Sequence, residues 1–263
     1  MNKKKVVFIS DFFINEVSGG AEFCNDALIK LLSDKVEIEC IKSINITPTI
    51  INDRNASFFV VANFFQLSEQ SKAALKNTTY VILEHDHKYV RSNNPSLYRN
   101  FLAPESQIQN KAFYRHALAV LCQSKKHASV VQRNLLLNNI VSLSGNIWTE
   151  EQLQILESNM HNPKTIKHAI LQSNNKNKGM PAAMHFCESK GIEYEFIRPQ
   201  PFDNFINNIS KVEKLIFFPQ WLETYNRLAI ELKILGGKLI TNSLIGVASE
   251  DYFKLSGKEL LDF

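Results

Sequence analysis

Only four cysteines stand in the 263 residues, at Cys24, Cys40, Cys122 and Cys187, and no two form a C-x-x-C pair. Three of them fall in apolar-periodic segments. They read as small buried hydrophobes in a reducing compartment, not as a disulfide framework. A long hydrophobic start is also missing. In "MNKKKVVFISD" only five residues separate the lysines from Asp11. That run is too short for the core of a signal peptide or for a membrane span, so a cytoplasmic location is expected, with Lys3, Lys4 and Lys5 as a solvated tail. No internal repeat or low-complexity tract is visible. The net charge is only +4. It suits an anionic substrate, or a weak attraction to nucleic acid or acidic lipid, and demands none of them.

What is present is ordinary globular material. A hydrophobic share of 44% with 21% charged residues supplies a sizeable core, in one large domain or two modest ones. Short β-branched and aromatic runs alternate with amphipathic stretches. "KVVFIS" (5–10), "VEIEC" (36–40), "SFFVVA" (57–62), "YVILE" (80–84) and "LAVLC" (118–122) read as buried strands. Helical spacing occupies 21–33, 68–76, 108–116 and 125–137. A polar stretch, 142–165, holds one helix between Gly- and Pro-containing joints. A second series then follows: strands at 167–171, 193–197, 214–218 and 238–241, with helices at 181–190 and 226–235. Near-continuous apolar strands between helices predict an α/β chain of two Rossmann-like domains, 1–145 and 146–263, with parallel sheets facing a cleft. Ligands in such sheets bind beyond the carboxyl ends of the strands.

The segment "FFPQWLETYNRLAIELKILGGKLITN" (217–242) carries two carboxylates eight positions apart, Glu223 and Glu231. On one ideal helix that spacing is ~12 Å and about 80° around the axis. The pair would then lie on one side, at opposite ends of a ligand of nucleotide-sugar length. Glu231 has two oxygens to accept from a pair of vicinal hydroxyls. The helix start at 224–227 offers backbone N–H groups to a diphosphate. Two solvated helix carboxylates would use the same letters, but "LAIELKIL" is a run suited to burial.

This segment resembles the donor-binding segment of GT-B glycosyltransferases of family 4, whose signature is a Glu, seven residues, a second Glu, an A-x-x-x-G stretch and a strand. The resemblance implies that Glu223 lies near the donor sugar and that Glu231 holds the nucleotide ribose. Thr224, Tyr225, Asn226 and Arg227 would cradle the diphosphate, Arg227 as a possible second cation. The family carries E-G-F-G where this chain reads "ETYN", so Thr224 and Asn226 place side chains where close backbone approach is expected.

The likeness extends to other stretches. In "LQSNNKNKGMPAAMHFC", Lys178 and Gly179 match the lysine motif for the donor diphosphate, with Pro181 in the first turn of the next helix. Ser173 stands where the family often has an arginine. "GGAE", with Gly19 and Gly20, resembles the glycine loop that borders the reaction centre. In "VILEHDHKYV", His85 resembles the histidine that contacts the donor sugar, with Asp86 and His87 behind it on the acceptor side. The H-x-H pattern there lacks a third ligand at a recognisable spacing, and the family needs no metal. Ser124 resembles a cleft serine, although a helix cap explains it equally well.

The likeness is loose in the first half and close in the second, and is strongest to the compact versions found in bacteriophage genomes. Family members end with a long helix that crosses back over the first domain. Here only "NSLIGVASEDYFKLSGKELLDF" follows the last strand, which predicts looser closure or a partner that assists it. The resemblance implies transfer of a hexosyl or pentosyl group from a nucleotide-sugar to an unknown acceptor, with retention, and with no cofactor beyond that co-substrate. Two alternatives stand beside it. One is a catalytically degenerate scaffold that binds a ligand or partner. The other is an acceptor that is a modified DNA base, which would call for a basic face.

Overall fold

The computed structural model describes residues 3–17 and 19–263. The chain divides into two compact units, Met1–Trp148 and Thr149–Phe263, each with its own sheet.

In the first unit six strands run parallel: β1 (Lys5–Ser10), β2 (Glu37–Lys42), β3 (Phe58–Val61), β4 (Thr79–Glu84), β5 (Ala119–Cys122) and β6 (Ile140–Ser142). Their order is β2-β1-β3-β4-β5-β6. The helices are α1 (Gly20–Ser33), α2 (Pro48–Asp53), α3 (Glu69–Leu75), α4 (Lys111–His116) and α5 (Lys125–Leu135). Period-2 alternation divides the strand residues between two faces. Val7, Ile9, Phe59, Val61, Tyr80 and Ile82 enter one core, while Val6, Phe8, Val60, Val81 and Leu83 enter another. Both faces are apolar, so the inner strands read as continuous hydrophobic runs. The edge strand β2 is half exposed, and Cys40 on it is the exposed cysteine; Cys24, Cys122 and Cys187 are buried.

The second unit has β7 (Ile166–Leu171), β8 (Glu195–Ile197), β9 (Val212–Phe217) and β10 (Lys238–Thr241), all parallel, in the order β10-β9-β7-β8. Around them lie α6 (Glu150–Asn159), α7 (Met180–Lys190), α8 (Phe202–Ile209), α9 (Arg227–Ile234) and α10 (Gly257–Leu261). Thr149 and Gln152 close a capping box at the start of α6. Among the described residues no helix is long and apolar enough to cross a membrane.

Both sheets reverse direction once. The reversal lies between β1 and β3 in the first unit and between β7 and β9 in the second. Loops leaving the carboxyl ends of such a strand pair diverge and leave a crevice, which is where parallel sheets hold ligands.

Four elements went beyond the sequence pattern: β6, α2, α8 and the five-residue α10. The first three are 3, 6 and 8 residues long, and all but α8 give periodicity little to show. Two expected helices are also shorter. The one at 108–116 begins at Lys111, because Asn110 takes a left-handed conformation and Ile108 bridges to Val90. The one at 125–137 ends at Leu135, because Leu136 is left-handed and closes the helix onto Gln132.

Candidate active site

The reversal point of the second sheet gathers the loop after β7 and the loop after β9. From the first, Lys178 Nζ donates to Glu223 Oε1 at 2.9 Å and Oε2 at 3.1 Å, across 45 residues of chain. Gly179 makes this approach possible. Its φ is +68°, and a Cβ there would lie 1.7 Å from the Phe218 carbonyl oxygen. Gln220 N also donates to the Asn177 carbonyl at 2.8 Å, so the two loops are fastened through their main chains. Glu223 is not on the helix that carries Glu231. It sits on an extended segment bridged in parallel to Ile245, four residues before α9 begins, so the one-helix geometry does not apply.

Asn226 explains how the chain does without the glycine expected there. Its φ is 85°, a left-handed conformation that Asn tolerates better than most residues. Its side chain caps α9 by accepting from Ala229 N at 2.8 Å and donates to Glu223 Oε2 at 3.3 Å. Glu231 lies in the second turn of α9 and is buried, with 5% of its surface exposed. Arg227 Nε is 3.5 Å from Glu231 Oε1, and Arg227 also donates to Gln152 Oε1 at 3.2 Å. The guanidinium is therefore buried between two side chains, not extended to solvent. Tyr225 is turned into the core, where its hydroxyl meets that of Tyr252 at 2.8 Å; burial and this bond raise its pKa. Thr224 leads into this turn, ahead of the cap.

In the first unit the loop after β4 is built on a buried carboxylate. Glu84 Oε1 accepts from the backbone N–H groups of Asp86 and Lys88 and from Lys88 Nζ, at 3.1, 3.2 and 3.3 Å, and Tyr114 donates to Oε2. Burial opposes ionisation of Glu84, but Lys88 and the Tyr114 hydroxyl outweigh it and hold its pKa at about 2. His85 Nε2 lies 3.0 Å from Asn25 Oδ1 of α1. Burial, with the Lys88 charge nearby, lowers its pKa to about 3, so its imidazole is neutral at physiological pH. Asp86 is half exposed beside Lys88. His87 is buried: Nδ1 meets the Tyr89 hydroxyl at 3.1 Å, and its ring packs edge-on to His127 at 4.9 Å. Ser124 is fully buried and caps α5, accepting from His127 N at 3.1 Å.

Gly19 and Gly20 start α1 as expected, but the helix entrance carries the chain's own carboxylate. A Cβ on Gly19 would lie 2.4 Å from Glu22 Oε2. Glu22 is buried there and bonded to the Gly19 backbone; burial, with Asp86 and Asp11 nearby, raises its pKa. The anion-accepting turn is thus filled from within the chain. Among the described residues no three His, Cys, Asp or Glu side chains come together to hold a metal ion.

Lys88, Tyr114, Asn25 and Asn226 in its capping role escaped sequence reasoning. Lys88 and Asn226 lie inside the stretches singled out, whereas Tyr114 and Asn25 reach their partners across 30 and 60 residues, a distance no local pattern spans.

No protein-family model matches the chain, and no curated protein matches its sequence. Solved structures do match its shape. Sucrose-phosphate synthase from Thermosynechococcus elongatus aligns with a TM-score of 0.63 at 10% identity, covering 93% of this chain and 82% of that one. HepE of Anabaena, solved with UDP and glucose, aligns at 0.58 with the same identity and coverage. An alpha-glucosyltransferase solved with UDP and a 13-mer DNA containing an HMU base aligns at 0.53 and 9% identity, covering 95% and 85%. With its two parallel sheets of six and four strands, the chain has the GT-B glycosyltransferase fold.

Proposed function

We propose that the protein is a glycosyltransferase that moves a sugar from a nucleotide-sugar to an acceptor, with retention of configuration. The second unit (Thr149–Phe263) takes the donor and the first (Met1–Trp148) the acceptor. One observation carries this reading: Lys178 and Glu223, from different loops, meet at the reversal point of the second sheet. A fixed ammonium there is placed to meet a diphosphate, and Glu223 to orient the sugar attached to it. Glu231, held in one orientation by Arg227, serves the ribose hydroxyls. In the step itself the bond from the anomeric carbon to the diphosphate oxygen breaks while a bond to the acceptor oxygen forms. The acceptor proton passes to the departing diphosphate, so no protein base is required. His85, neutral and hydrogen-bonded to Asn25, contacts the donor sugar as a polar group without charge.

A second reading, a scaffold that binds without turnover, is favoured by Ser173 where the family often has an arginine and by Thr224 and Asn226 where it has glycines. One experiment separates the two. Purified protein is incubated with a panel of nucleotide-sugars, and donor hydrolysis and thermal stabilisation are followed. Transferase chemistry predicts slow hydrolysis of one donor that is lost in Glu223→Ala. Stabilisation without hydrolysis, unchanged by that substitution, supports the binding scaffold, and neither signal with any donor contradicts both.

A further inference from the structure

Beyond the carboxyl ends of β1 and β2 the first unit holds a cavity of about 530 Å³, within the range of small-molecule sites. Phe13, Ile29 and Ile41 give it apolar walls, and Glu22 and Asp26 of α1 place carboxylates on it. Lys42 is the only cation among its lining residues, and its ammonium is committed to Glu16 at 2.6 Å. The same ammonium lies 5.6 Å from the ring centroid of Phe12, a phenylalanine left 39% exposed. Asp26 likewise holds the Lys30 ammonium at 2.9 Å, and Glu22 adds a third carboxylate, so the lining has one carboxylate in excess and both ammoniums are already engaged, which disfavours an anion. The lining suits a molecule with hydroxyls to donate and apolar ring faces to lay against phenylalanine.

We propose that this cavity binds a hydroxyl-rich small molecule without negative charge, a neutral or amine-bearing sugar, whose hydroxyls are accepted by Glu22 and Asp26. Its identification as the acceptor rests on the transferase reading above; its binding does not. A phosphorylated sugar, or a nucleic-acid backbone, is disfavoured by the same lining.

Cys40 supplies a local reporter, because it lines the cavity and is exposed while the other three cysteines are buried. Burial and Asp26 raise its pKa, so alkylation with iodoacetamide is followed at about pH 9, where thiolate is present. Glucose, maltose and glucosamine are compared with glucose 6-phosphate. An uncharged or amine-bearing sugar is expected to slow alkylation about threefold at twice its Kd, and glucose 6-phosphate is expected to have no effect. Protection should disappear in Ile29→Trp, which fills the cavity, and weaken in Asp26→Ala, with melting temperatures confirming that both variants fold. No protection by any neutral or amino sugar, stronger protection by the phosphate, or protection unchanged in both variants would overturn the proposal. Donor hydrolysis is assayed on the same preparations without added sugar. Its absence with Cys40 protection intact would strike the transferase reading and leave this one standing.

Discussion

Two residues of the second unit show how backbone conformation decides what the side chains can do. Gly179 cannot carry a Cβ, since the Phe218 carbonyl already occupies that space and its φ is positive. Gly179→Ala is expected to cost more than about 1 kcal/mol in urea unfolding and to displace Lys178 from Glu223. Asn226 is left-handed and caps α9. Asn226→Ala should therefore lose about 1–2 kcal/mol, while Asn226→Gly should lose only a few tenths. Equal losses in the two variants would show that the left-handed turn does not matter. In the proposed transferase reaction, the ammonium of Lys178 has the clearest electrostatic task. Lys178→Ala is expected to lower donor turnover by roughly 10²–10³-fold, with little change in melting temperature because its side chain is partly exposed.

At the scale of elements, the end of β4 is the unit that pH should reach first. His85 is buried with its pKa lowered from 6.5 to about 3, and Glu84 with its pKa lowered from 4.5 to about 2. In both cases the unfolded chain binds more protons than the folded one across that window. Stability from His85 is complete above pH 6.5 and is lost as pH falls toward 3; that from Glu84 is complete above 4.5 and is lost toward 2. Melting curves should fall on acidification below about pH 6.5, each group contributing at most about 1.4 kcal/mol per pH unit. A flat profile between pH 7 and 4 would contradict the buried neutral His85. Lys88→Met leaves Glu84 buried without its cation, and a loss of about 3–5 kcal/mol is expected by chemical denaturation. The sequence made the loop itself visible, since Glu84, His85, Asp86 and His87 cluster after an apolar strand. It did not reveal which of them face inward. Burial of His87 and Ser124 depends on His127, Tyr89 and the path of α5, and those contacts exist only once the sheet has formed.

For the whole molecule, the alternation of apolar runs and helical spacing made a parallel α/β chain legible, because strands buried on both faces leave no polar alternation to mislead. The short elements β6 and α2 were not legible for the opposite reason, having too few residues to display a period. The candidate site was legible as letters, and the helix expected at 226–235 was found, but the distances within the site were not legible. Glu223 and Glu231 were marked by their spacing, yet the spacing crosses a loop and a left-handed cap and not one helix. Lys178 and Glu223 lie 45 residues apart, and only the strand order β10-β9-β7-β8 brings them together.

In the proposed function Glu231 reads the ribose of a nucleotide. Calorimetric titration of uridine, guanosine and adenosine diphosphates and their 2′,3′-dideoxy counterparts, into wild-type protein and Glu231→Ala, tests it directly. One nucleotide is expected to bind, removal of its ribose hydroxyls to cost the wild type about 1–3 kcal/mol, and the same removal to cost the variant nothing. Binding of no diphosphate, or an equal penalty in both proteins, would contradict it.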